Sequence, residues 1–192
     1  MKVIGLTGGI GSGKSSILNV FKQKGIPAFN ADQEAKKLMQ EDAKVISELR
    51  QLFGDSIFEF GTLDRNRLAT IVFSDPSKLA ELNALIHPMV ATRFEGFKKA
   101  HKTPYLIKEA AILFETGGWK NCDQTILVCA PLEQRIDRVI QRDNSTREAV
   151  ISRINNQWPD EKKIPLADFV IHNESWNKTL LKVNEIHLTL LQ

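Results

Sequence analysis

The run Gly8-Gly9-Ile10-Gly11-Ser12-Gly13-Lys14-Ser15 satisfies G-x-x-x-x-G-K-[ST], and its surroundings restrict it further. It follows the short apolar segment Val3-Ile4-Gly5-Leu6 and opens an amphipathic stretch from Lys14 to Lys24, closed by Gly25. That order reads as strand, loop, helix. Glycines let backbone N–H groups turn inward around a phosphate, and the positive end of the helix adds to the attraction. Lys14 is expected to reach the β and γ phosphates, and the Ser15 hydroxyl to ligate magnesium. Gly8, Gly9, Ile10, Gly11, Ser12, Gly13, Lys14, Ser15 and Ser16 are the candidate nucleotide-binding residues, with Mg2+ and ATP as the expected donor pair. A glycine-rich turn that merely joins strand to helix is the plainer alternative. Neither reading says what receives the phosphoryl group.

Further apolar runs recur at Ile26-Pro27-Ala28-Phe29, Tyr105-Leu106-Ile107, Thr125-Ile126-Leu127-Val128 and Phe169-Val170-Ile171. Each is too uniformly apolar for a half-exposed strand, so the set predicts a buried parallel sheet of five strands with helices on both faces. Between Asp32 and Thr103 no strand signal is strong, while helical periodicity recurs at Ala35-Met39, Val45-Phe53, Leu68-Phe73, Leu79-Ile86 and Val90-Phe97. That gap far exceeds an ordinary crossover. The expected class is therefore α/β, a P-loop NTPase-type three-layer fold. Its core would be 1–31, 104–131 and 166–192, with a helical acceptor-binding insertion at 32–103 and a helical lid at 132–165.

Asp32 falls just beyond the second strand, where a parallel sheet presents its carboxyl edge to ligands. A carboxylate there can orient an attacking hydroxyl, accept its proton or hold the metal through water. It can equally be the N-cap of a helix beginning near Gln33, and the two roles can coexist. Arg135, Arg138 and Arg142 are spaced i, i+3, i+7, on one helical face, with Arg147 and Arg153 following. Such a face could close over a triphosphate. Pairing with Glu133, Asp137, Asp143 and Glu148 on a solvated surface is the alternative. Arg138 and Arg142 are the favoured catalytic candidates beside Lys14 and Asp32. His101, His172 and His187 suggest surface or structural roles; His87 precedes Pro88, where an X-Pro break is expected to expose a helix end within the insertion.

A net charge of +3 is weak for a nucleic-acid binder, and no row of stacking aromatics accompanies it. No apolar run approaches the roughly 20 residues of a membrane span, and no signal-peptide pattern precedes the first strand. A cytoplasmic protein without membrane or nucleic-acid partners is expected, as a monomer or weak homo-oligomer. Cys122 and Cys129 lie at no metal or redox spacing, so reduced thiols are expected.

Taken in order, these motifs resemble dephospho-coenzyme A kinase, the family that phosphorylates the 3′-hydroxyl of the dephospho-CoA ribose. The likeness spans nearly the whole chain. It runs from Leu6-Thr7-Gly8-Gly9-Ile10 through Ala31-Asp32, Leu63-Asp64-Arg65, Ile71-Val72-Phe73, Leu82-Asn83 and His87-Pro88. It continues through Leu113-Phe114-Glu115, Gln134-Arg135, Arg138, Gln141-Arg142-Asp143, Arg153, Gln157 and Ala167-Asp168 to Ile171 and Asn173. The resemblance implies ATP and dephospho-CoA as substrates, Asp32 as catalytic base, the middle helices as CoA-binding domain and the arginine-bearing stretch as a mobile lid. It also implies acceptor-binding roles for Thr7, Asp32, Arg65, His87 and Glu115. Three positions depart from the common pattern. Asn30 stands where the family often has Asp, and Glu109-Ala110-Ala111 replaces Asp-x-Pro before Leu113-Phe114-Glu115. A carboxylate sometimes found after the fourth strand is Cys129 or Ala130 here.

Three other readings make distinct predictions. A nucleoside monophosphate kinase would consume ATP with AMP or CMP. A GTPase-type switch needs an Asn-Lys-x-Asp segment, to which Lys120-Asn121-Cys122-Asp123 bears only a superficial likeness. A nucleic-acid-dependent ATPase needs more positive charge than this chain carries.

Overall fold

The computed structural model describes residues 1–192. The chain opens with β1 (Lys2–Gly8), α1 (Lys14–Gln23) and β2 (Ala28–Asn30). Residues Ala31–Ala100 then form a compact unit of their own, made of α2 (Ala31–Glu41), α3 (Ala43–Phe53), β3 (Phe58–Glu59), β4 (Thr62–Leu63), α4 (Arg65–Ser74) and α5 (Pro76–Lys99). The chain returns through β5 (Tyr105–Glu109), β6 (Gln124–Cys129), α6 (Leu132–Asp143), α7 (Arg147–Asn155), α8 (Asp160–Lys163), β7 (Phe169–His172) and α9 (Trp176–Leu190). Met1–Asn30 and His101–Gln192 together make the second compact unit, so the arginine-bearing stretch belongs to the nucleotide-loop unit.

In that unit the five strands are all parallel, in the order β2-β5-β1-β6-β7. β1 lies in the middle, with Ile4 opposite Ile107 on one side and Gln124 on the other. From β1 the chain builds first towards β2 and later, through β6, towards β7. A strand order that reverses at β1 opens a crevice at its carboxyl end, where this fold class binds ligands. Ile4, Leu6, Ile126, Val128 and Ile171 pack against Ile17, Phe21, Val183, Ile186 and Leu190 of α1 and α9. On the opposite face Leu127, Cys129 and Val170 meet Phe114, Trp119 and Trp158. Because both faces are covered, the strands carry little polar sequence, which is why they stand out in it. The second strand lies slightly later than its apolar run, taking in Asn30.

The other unit has its own core, in which Leu38, Val45, Leu49, Phe53, Leu68, Val72 and Ile86 come together. Two features depart from the sequence reading. A short antiparallel hairpin, β3 with β4, interrupts the helices; Phe60 (φ 47°) and Gly61 (φ 81°) turn it, as a hairpin turn with two positive φ angles requires. And α5 runs through Pro88 instead of breaking there. His87 and Pro88 are exposed while Ile86 and Phe94 are buried. The Ala84 carbonyl that loses its donor therefore lies on a wet face, and packing on either side holds the helix together.

Candidate functional site

The phosphate loop leaves β1 at Gly8 and enters α1 at Lys14. Lys14 Nζ folds back onto the Gly8 carbonyl at 2.5 Å, and Ser12 N donates to Gly9 O at 3.1 Å. Ser16 N and Ile17 N share the Gly13 carbonyl. Gly13 has a φ of 93°, and a side chain there would overlap the Asn173 amide. That amide earns its place: Asn173 Nδ2 donates to Ser12 O at 2.8 Å, Thr179 Oγ1 donates to Asn173 Oδ1, and Asn173 N donates to Cys129 O. β7 thus clamps the loop at its helical end.

At the loop tip α6 takes over. Arg135 Nε donates to Ile10 O at 2.9 Å, with its guanidinium over Gly9, where a Cβ would overlap it. Gln157 Oε1 accepts from Ile10 N at 2.8 Å. Arg138 donates to Gly11 O and Asn173 O, both at 3.3 Å, and to Gln134 Oε1 at 3.1 Å. The arginine face is therefore graded. Arg135 is buried and Arg138 half-buried, both spent on the loop backbone, whereas Arg142 is exposed. Arg142 grips Asp143 with two hydrogen bonds of 2.7 and 2.9 Å, and Arg153 joins the same carboxylate at 2.9 Å. These hydrogen bonds hold the Asp143 carboxyl far below the usual carboxylate range. Arg147 forms a bidentate pair with Glu133.

The sheet edge beside the loop carries a second polar pair. Asn30 and Glu109 are register partners at the ends of β2 and β5, and Asn30 Nδ2 donates to the buried Glu109 carboxylate. Two of the three departures from the family pattern thus meet in space. Asp32 lies in the first turn of α2, not at its cap, because the helix already begins at Ala31; a negative side chain there suits the positive helix end.

Two residues given acceptor roles by resemblance make hydrogen bonds within the fold. Thr7 is fully buried and donates to Ala111 O at 3.4 Å. Glu115 accepts from Trp158 N at 3.0 Å and faces Lys163 Nζ at 3.7 Å. Glu115 Oε2 is left without a hydrogen-bond partner. Arg65 and His87 are exposed. Asp64 caps α4 by accepting from Asn66 N and Arg67 N, which accounts for the Asp next to Arg65. Arg135, Gln157 and Asn173 were visible as motif residues; their grip on the loop was not, since their partners lie more than a hundred residues away in sequence. Lys163, Asp160 and the Asn30–Glu109 pairing carried no signal of their own.

The chain gathers no cluster of His, Cys, Asp and Glu able to cage a metal. The exposed Ser15 hydroxyl at the start of α1 is a hard oxygen donor of the kind magnesium takes, in a position suited to an ion arriving with nucleotide phosphates. Both free cysteines are thiols, Cys129 buried and pushed up to about 12 by its surroundings, chiefly burial and the neighbouring Asp160 carboxylate.

Comparison with known proteins agrees with this geometry. The sequence model of the dephospho-CoA kinase family matches residues 2–178. The dephospho-CoA kinase of Chlorobium chlorochromatii is 39% identical over 99% of the chain and 94% of its own length. A Thermus thermophilus protein of known crystal structure superposes with a TM-score of 0.93 at 34% identity, covering 100% of this chain and 98% of its own. The dephospho-CoA kinase from Campylobacter jejuni gives a TM-score of 0.69 at 25% identity, with 98% and 96% covered.

Proposed function

The chain belongs to the dephospho-CoA kinase family, and from that premise we propose which of its residues carry the ATP-dependent phosphorylation of the dephospho-CoA 3′-hydroxyl, the last step of CoA biosynthesis. The observation that carries the proposal is the loop Gly8–Ser16 standing at the carboxyl end of the central strand, where the strand order reverses. Backbone N–H groups of the Gly8–Ser16 loop and the Lys14 ammonium hold the triphosphate, while the amides of Ile10, Ser12 and Ser16 are engaged within the fold. The Ser15 hydroxyl would hold Mg2+, and the ion would supply positive charge to the transferred phosphate. Asp32, two residues beyond the Asn30 strand end, orients the acceptor hydroxyl and takes its proton as the phosphoryl group leaves ADP. Arg138 steadies the loop, and Arg142 exchanges Asp143 for charge developing on the transferred group. The Ala31–Ala100 unit receives the acceptor, with Arg65 and His87 as contacts, and the 132–165 stretch acts as lid. The protein is proposed to work in the cytoplasm as a monomer or weak homo-oligomer.

The test is ADP release, coupled to a readout, with ATP, magnesium and dephospho-CoA, followed by identification of CoA as product. ADP release with AMP or CMP and none with dephospho-CoA would overturn the reading in favour of a nucleotide kinase.

A further inference from the structure

Lys163 is a fully buried lysine, its side chain 1% exposed. An ammonium is not left in a protein interior without compensation, because desolvation costs several kcal/mol or more for an uncompensated ion. Here the compensation is a row of alternating charges. Lys163 Nζ lies 3.7 Å from Glu115 Oε1 and 3.7 Å from Asp160 Oδ1. Asp160 Oδ2 lies 3.7 Å from Arg135 Nη1. Two cations and two carboxylates balance, and the Cys129 thiol beside Asp160 stays neutral. No other charged group takes part.

Both ends of this row reach the same residue of the phosphate loop. Arg135, at one end, takes the Ile10 carbonyl. Glu115, at the other, takes the amide of Trp158, and the adjacent Gln157 takes the Ile10 amide on Oε1 while giving Nε2 to Ala111 O at 3.4 Å. Peptide groups on either side of Ile10 are thereby fixed from outside the loop. Lys163 Nζ, Asp160 Oδ1 and Glu115 Oε2 make no hydrogen bond, so it is the balance of charge itself that links Glu115, beside the Gln157-Trp158 segment, to Arg135 on α6.

We propose that Lys163 is a positioning residue for nucleotide binding: by balancing Glu115 and Asp160 it holds Arg135 and Gln157 on the two peptide groups of Ile10, and so sets the curvature of the phosphate loop. This rests on the assignment of that loop to ATP. A lysine serving only the stability of the fold would not single out the loop.

The test compares the whole chain with Lys163→Met and with the charge-balanced Lys163→Met/Glu115→Gln, in which one cation and one anion are removed together and Gln can still accept from Trp158 N. Two quantities are read: Mg-ATP affinity by calorimetry, and amide hydrogen exchange of residues 8–13 without nucleotide. In Lys163→Met, ATP affinity falls on the order of tenfold and exchange at 8–13 quickens, while the KM for dephospho-CoA at saturating ATP stays within about twofold. In the double variant both quantities return to within about threefold of the unaltered protein. Should Lys163→Met fail to fold, Lys163→Gln, which removes the same charge, is read in its place against the double variant. Unaltered affinity and loop exchange in Lys163→Met overturns the proposal, as does a double variant no better than the single one. A wild-type chain that binds no ATP would sink the kinase reading instead, and exchange at 8–13 would then decide the role of Lys163 by itself.

Discussion

At the scale of single residues, the chemistry separates groups that touch the reaction from groups that shape its container. Asp32→Ala should lower turnover by at least roughly a hundredfold and leave ATP affinity nearly intact, as loss of an acid–base or orienting group does; steady-state kinetics beside calorimetry checks it, and near-normal turnover refutes the role. Lys14→Ala should damage ATP affinity and transfer together, and unchanged affinity would count against the loop assignment. Asn30→Asp tests the sheet-edge pair. It sets a second carboxylate against buried Glu109, so one of the two takes up a proton in the folded state and its pKa rises above the unfolded value. Stability then falls as pH rises through that window. Urea unfolding should show a loss of about 1–3 kcal/mol at pH 8 and a smaller one at pH 5; a loss equal at both would show that the pair is not coupled. The loop and the helix that begins at Lys14 were legible, because the glycine spacing is itself the geometry of a strand-to-helix turn. The hold of Arg135 and Gln157 on the loop was not, although both residues stood out as motif positions, because each contacts a partner that only the fold brings near.

At the scale of elements, the strands of the main sheet were readable from apolar runs that burial on both faces imposes. The β3–β4 hairpin escaped because two-residue strands hold no run to read; only Phe60-Gly61, turned through positive φ, marks it. Pro88 misled in the opposite sense. The X-Pro rule is local, whereas α5 is held by side chains buried on either side of the proline. Pro88→Ala should therefore restore a donor to Ala84 O and raise stability by about 1–3 kcal/mol, seen as a higher Tm. An unchanged or lower Tm would mean that the pyrrolidine ring is itself needed by the helix.

At the scale of the whole molecule, the C-terminal helix is tied to the start of β5 by Tyr105 OH and His187 Nδ1, 2.6 Å apart. Burial pushes the Tyr105 hydroxyl up, and burial followed by nearby Lys24 pushes the His187 imidazole down. A histidine with a lowered folded pKa binds fewer protons folded than unfolded, so its contribution is present above about pH 6.5 and lost as pH falls below it towards the folded value. Tm should drop between pH 7 and pH 5, and His187→Gln should flatten that drop; an equal slope in both proteins would remove His187 as its source.

β1 precedes the other strands of its sheet in the chain and cannot be the first of them to be finished. Its partners are Tyr105–Glu109 on one side and Gln124–Val128 on the other, so the central strand is not complete until the ribosome has added everything up to Val128. At about 5–20 residues per second that delay is roughly 6 to 25 s. A nascent chain arrested before Gln124 should not be retained by immobilised ATP, while one arrested well past Asn173, with β7 clear of the exit tunnel, should be. Residues of the phosphate loop, made well before their strand partners, are thus among the last here to acquire their function.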